Sequence, residues 1–157
     1  MIQRIQTVFL IIVLLVLVLI TFGTSIFTYE TTEFLFKLST YGVQKYDLEG
    51  TLIESKSLPF YFITMTLVLL CLFSIAAFKN LKVQLTLTNL LSLVYFVMII
   101  AVCFSYFLGN HFTNSETVST SLGVGFYALM VGLPFLRLAA RGIKKDRELI
   151  DSVNRLR

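Results

Sequence analysis

Four stretches of this chain contain no charged residue and are long enough to cross a bilayer. The first runs from Ile5 to Tyr29, between Arg4 and Glu30. Its centre, Val8 to Ile20, is an unbroken run of Val, Leu, Ile and Phe. The second runs from Ser57 to Phe78, with Pro59 near its start, where a missing N–H costs a helix least. The third lies between Lys82 and Glu116, with an apolar body from Leu85 to Phe107. The fourth runs from Val118 to Leu136, ahead of Arg137. A membrane helix needs about 20 mostly apolar residues, and each window supplies them.

The rest of the composition agrees. Of 157 residues, 57% are apolar and 14% charged, against about 25% charged in a soluble domain. A soluble fold of this size lacks the interior to hide that surface. Barrel strands would alternate polar and apolar residues, and these windows do not. With no water to satisfy backbone groups in hydrocarbon, helices follow. The first window has a basic start and an apolar core, as a signal peptide does. Its core is long, and Thr21-Phe22-Gly23-Thr24-Ser25 is a poor cleavage site, so it reads as a retained anchor.

The expected fold is therefore an all-α membrane protein, one domain over 1–157, built as a four-transmembrane-helix bundle. Spans are expected at about 6–28, 58–78, 85–107 and 118–137, with an outer loop at 29–57 and a tail at 138–157. The two ends and the loop from Lys79 to Leu85 carry ten basic residues against three acidic ones. Positive charge stays in the cytoplasm, so both termini are expected inside.

The outer loop is expected to form a small β element. Glu33 to Leu38, Val43 to Tyr46 and Thr51 to Glu54 are rich in strand formers, and Gly50 suits a turn of positive φ. Packing on the bundle is the favoured role for its apolar residues, and a partner surface the other. The tail is expected to form a separate amphipathic helix after a break at Gly142. Leu149, Ile150, Val153 and Leu156 share one face, while Lys144 with Glu148 and Asp151 with Arg155 are spaced to pair. Arg4, Arg141, Lys144, Lys145, Arg155 and Arg157 are the candidate lipid or partner contacts. Such a tail lies on the anionic inner leaflet or docks a cytoplasmic partner.

No Asp, Glu, Lys, Arg or His falls inside a span, which argues against ion-coupled transport and intramembrane catalysis. The spans offer only scattered Ser, Thr, Asn and Tyr; Thr64, Thr66, Ser74, Ser92 and Ser105 are the candidates for a polar path, and such residues commonly bond to their own helix. No nucleotide, nucleophile or zinc motif is present. The lone His111 beside Asn110 and Asn114 has no companion ligands, so no metal and no cofactor are expected. Nothing marks a nucleic-acid surface. Cys71 and Cys103 lie at depths roughly 13 Å apart if the spans are helical, too far for a disulfide. Ser121, Gly125, Ala128 and Gly132 form a small-residue face on the fourth helix, for packing within the bundle or against another subunit. Tyr29, Tyr61, Tyr106 and Phe107 suit an aromatic belt at the outer boundary.

The two ends carry a family likeness. Met1-Ile2-Gln3-Arg4-Ile5-Gln6-Thr7 and the stretch from Ile143 to Arg157 resemble a family of small four-helix inner-membrane proteins of Bacteroidota-type bacteria, a domain of unknown function. The turn from Phe78 to Gln84 also fits. The resemblance implies the same topology and location, and no activity. It further implies that Gln3, Arg4, Gln6, Lys145, Asp146, Ser152, Arg155 and Arg157 belong to one feature at the inner surface. A bundle with a β-bearing first outer loop also resembles claudin-like architecture, at the level of fold alone.

The functional expectation is a non-catalytic integral membrane protein, an accessory or assembly subunit of a larger inner-membrane complex. The alternative is a small transporter or channel component. The expected partners are the lipid bilayer, another membrane-protein subunit and a cytoplasmic protein docked on the C-terminal helix.

Overall fold

The computed structural model describes residues 5–22, 24–47, 49–58, 60–107 and 119–155, with side chains up to residue 152. Among the described residues, four helices are long and apolar enough to span a membrane. They are α1 (Ile5–Phe22), α2 (Phe60–Ala76), α3 (Leu81–Phe107) and α4 (Val124–Arg155). A 3-10 turn, Ala77–Lys79, joins α2 to α3. Each helix packs mainly on its two neighbours, in the cyclic order α1, α2, α3, α4. That short connection makes α2 and α3 antiparallel.

Burial along α1 shows how the bundle is read from sequence. Gln6, Leu10, Val13, Leu17, Ile20 and Thr21 are buried, at the three- and four-residue spacing of one helical face. The opposite faces of the helices remain apolar. Leu15, Phe62, Phe73, Leu93 and Phe104 are between 61% and 73% exposed. Apolar on the outside as well as the inside is the pattern expected where the surroundings are lipid.

The fold departs from the expected all-α bundle with one small β element. A five-stranded antiparallel sheet covers one end of the helices. Its strands are β1 (Phe27–Glu30), β2 (Phe34–Ser39), β3 (Gly42–Asp47), β4 (Leu52–Ser57) and β5 (Ser119–Leu122), ordered β4-β3-β2-β1-β5. The fifth strand comes from the second loop and pairs with β1, Phe27 opposite Leu122. The sheet therefore joins both loops at that end.

The first span is shorter than its apolar window for the same reason. Ile26 and Phe27 leave the helix for the sheet, where Ile26 N–H donates to Leu38 O at 2.7 Å. The carbonyls freed at the end of α1 are met from the sheet. The Thr40 hydroxyl lies 3.3 Å from Ile20 O and 3.2 Å from Thr21 O. Helix ends leave such carbonyls without intrahelical partners.

Phe27 locks the sheet onto the bundle. Its ring lies 5.3 Å from that of Tyr106 on α3 and 5.4 Å from that of Phe126 on α4. Phe36, Leu38 and Val43 are buried beside it. Tyr29 belongs to this core and not to a boundary belt, at 3% exposure. Tyr61 stacks on Tyr41, with ring centroids 5.3 Å apart. The two edge strands stand clear, with all six residues of β4 and all four of β5 exposed.

The tail also differs from expectation. It is no separate helix, because α4 runs through Gly142 without a break and carries Pro134 inside it. At 32 residues, α4 is about 48 Å long and exceeds the roughly 30 Å of hydrocarbon. Gly142 is a contact point: a Cβ there would lie 3.2 Å from Gln6 Cβ.

Candidate functional site

The end of the bundle opposite the sheet holds buried polar side chains from three helices, Gln6 of α1, Ser74 of α2 and Gln84 and Thr88 of α3. Gln6, in the first turn of α1, is 3% exposed. Its side-chain amide donates to Asp146 Oδ2 on α4 at 2.6 Å. The close approach at Gly142 lets the two helices meet there. The family likeness linked Gln6 and Asp146 only as members of one surface feature, and here they are bonded. Arg4, Gln3 and Arg157 lie outside the described residues, as does the side chain of Arg155.

Ser74 and Thr88 share a hydrogen bond of 2.8 Å between α2 and α3. Thr88 also bonds back to Gln84 O at 2.8 Å. Cys71 donates to Leu10 O at 3.4 Å, and both Cys71 and Cys103 are free thiols. Gln84 is fully buried, and neither its amide nitrogen nor its oxygen has a partner among the described residues. An unmet buried amide is costly. The sequence placed Gln84 only in the turn from Phe78, although Gln84, Thr88 and Tyr95 follow a helical spacing on α3 that marks a polar stripe on its buried face.

The tail residues spread around α4. Arg141, Lys144 and Lys145 are exposed. Lys144 sits 3.9 Å from Glu148. Asp151 is reached by Arg147, at 3.6 Å. Arg147 and Asp151 line a groove of about 290 Å³ together with Ile150 and the turn residues Lys79, Asn80, Leu81 and Lys82. Lys79 and Lys82 were read from sequence only as topology charges. Leu149 and Ile150 are exposed.

The small-residue face divides. Ser121 lies in β5, outside the helix. Gly125 faces α1's end, where a Cβ would lie 2.9 Å from Thr24 Oγ1. Gly132 faces α3, where a Cβ would collide with the Tyr95 hydroxyl. That hydroxyl donates to Leu129 O at 2.9 Å, inside the bundle. Ala128 is half-buried between them.

At the sheet end a second cavity, of about 340 Å³, lies between Phe22, Thr24 and Ser25 and the strand residues Lys37, Ser39, Thr40, Tyr41, Gln44 and Tyr46. Tyr46 donates to Gln44 Oε1 at 2.9 Å, and Lys37 Nζ sits 4.9 Å above the Tyr46 ring. Nearby, burial and then the neighbouring Tyr106 push the Tyr29 hydroxyl up to about 12. That hydroxyl has no partner among the described residues. Among the described residues, no three His, Cys, Asp or Glu side chains converge to hold a metal. His111 lies outside them.

Comparison with curated proteins finds no match. A family match covers residues 2–156, so the likeness seen at the two ends extends along nearly the whole chain. It carries no taxonomic origin and no activity. A chain of four membrane-length helices matched over that span belongs to the family described as domain of unknown function DUF4293.

Proposed function

We propose that this protein is a non-catalytic accessory or assembly subunit of a larger inner-membrane complex, with both termini in the cytoplasm. The orientation rests on charge: ten basic residues against three acidic at the end that holds the termini. The sheet then stands outside.

Strand β4 carries the subunit reading. It is an edge strand, and all six of its residues are exposed. Leu52 and Ile53 are 54% and 53% exposed. Consecutive strand residues point to opposite faces, so a flat lipid surface could cover one of them and not both. A protein partner that pairs with the free edge covers both and meets the strand's open backbone groups.

The test is gentle-detergent purification of the tagged protein from its native membrane, followed by mass spectrometry. A stoichiometric partner is expected, and Leu52→Glu/Ile53→Glu should release it without disturbing the thermal melt. A partner-free wild-type protein overturns the reading.

The second reading, a small transporter or channel component, draws on the buried polar groups of Gln6, Gln84, Ser74 and Thr88. Against it, Thr64, Thr66 and Ser105 are turned onto the backbone of their own helices. Solute flux through reconstituted protein decides between them.

A further inference from the structure

We propose that the groove between the α2–α3 turn and the last turns of α4 binds the phosphate headgroup of an anionic phospholipid. The proposal is independent of the subunit reading and of the orientation.

Three cations meet there. Lys79 and Lys82 come from the turn, and Arg147 from α4. The one acid in the lining, Asp151, is already engaged by Arg147 Nε at 3.6 Å. A guanidinium has five N–H donors, so this contact leaves Arg147 capacity for a second anion. Neither lysine has a carboxylate within ion-pair distance among the described residues. The 27-residue helix α3 begins at Leu81, on the groove's wall, and its dipole adds positive potential at that point. Asn80 caps it, its side-chain oxygen accepting from Val83 N–H at 3.4 Å.

A lipid fits this place better than a free anion. The groove lies where the apolar stretch of α2 ends. Its lining includes Leu81 and Ile150, and exposed Phe78 and Val83 flank the turn at 47% and 46%. Phosphate and acyl chain thus find their counterparts side by side, cations in the groove and apolar surface next to it. A cavity of about 290 Å³ holds a headgroup and leaves the chains outside.

The experiment is native mass spectrometry of the full chain in mild detergent, titrated with phosphatidylglycerol, with phosphatidylcholine of the same chains, and with inorganic phosphate as competitor. One phosphatidylglycerol should bind in preference to phosphatidylcholine, and excess inorganic phosphate should not displace it. Lys79→Gln/Lys82→Gln should weaken it by about tenfold or more. Lys37→Gln/Arg137→Gln removes the same charge outside the groove and should leave binding unchanged. Equal binding of the two lipids overturns the proposal. So does an equal loss in the Lys37/Arg137 variant, which would mean diffuse attraction to the net positive charge. Displacement by inorganic phosphate would make the ligand a free anion and overturn the lipid assignment. Both double variants change exposed side chains, and an unchanged melting temperature confirms that they fold.

Discussion

The Gln6 amide donates to Asp146 Oδ2 at 2.6 Å, joining the first turn of α1 to a position 140 residues later. This bond ties the late turns of α4 to α1. They are held by α1 at the point where Gly142 allows the closest approach. Hydrogen bonds to a charged group contribute about 1.5–3 kcal/mol when partly buried. Gln6→Ala and Asp146→Ala should each destabilise the protein, and the double variant should cost less than the two losses added. A double-mutant cycle on thermal or denaturant unfolding in detergent checks this, with a coupling of about 1–2 kcal/mol expected. Additive losses would show that the two side chains act separately.

Gly132 faces a hydroxyl and not another subunit. Gly132→Ala should destabilise the bundle by about 1–3 kcal/mol, the usual cost of overpacking. The methyl would meet the Tyr95 Oη, so Tyr95→Phe should restore part of the loss in the Gly132→Ala background. Unfolding of the single and double variants measures it. Failure of Tyr95→Phe to help would place the strain elsewhere.

Two glycines of the sheet should respond very differently to alanine. Gly42 has φ +138° and a Cβ there would run into Lys56 O of the neighbouring strand. Gly50 has φ +81° and open space around it. Gly50→Ala should therefore cost about 1–2 kcal/mol, the left-handed backbone penalty alone. Gly42→Ala should cost more and loosen β4 from β3. Hydrogen exchange at Val43 to Lys45 and at Ile53 to Ser57 reads the difference.

Tyr29 offers a change that removes a cost. Its hydroxyl is buried without a partner among the described residues. Tyr29→Phe should raise stability by about 1 kcal/mol. The pH dependence follows from the hydroxyl's pKa, raised from 10 to about 12 by burial. The folded state keeps its proton where the unfolded chain loses it, so this term is present below pH 10 and fades as pH climbs to about 12. Thermal melts from pH 9 to 12 should fall less steeply for Tyr29→Phe than for the parent protein.

The helices were legible because hydrophobicity is a local property. A long window free of charge holds a membrane-length helix within it, and so four helices could be placed from residue types alone. Gly50 was legible as a turn for the same reason, since its backbone freedom is its own. Helix ends were harder. The apolar run of the first window continues to Tyr29, yet α1 stops at Phe22. Ile26 and Phe27 are good strand formers, and the sheet takes them because β2 supplies the matching hydrogen bonds.

Other features depended on distant surfaces. Ser119-Thr120-Ser121-Leu122 has little strand character, and it becomes β5 only because β1 presents a free edge beside it. Gly142 looked like a break, since glycine costs a helix about 1 kcal/mol relative to alanine. Packing on Gln6 outweighs that cost and keeps α4 continuous. Lys79 and Lys82 could be counted from sequence, but their convergence with Arg147 depends on how α4 passes the α2–α3 turn. The amino-acid sequence by itself thus determined how many helices could enter a membrane and which end carries the positive charge, because both follow from the transfer of individual side chains. The tertiary structure alone decided that both loops share one sheet, that Gln6 meets Asp146 and that three cations surround one groove, because each of these requires residues far apart in the chain to be brought together by packing.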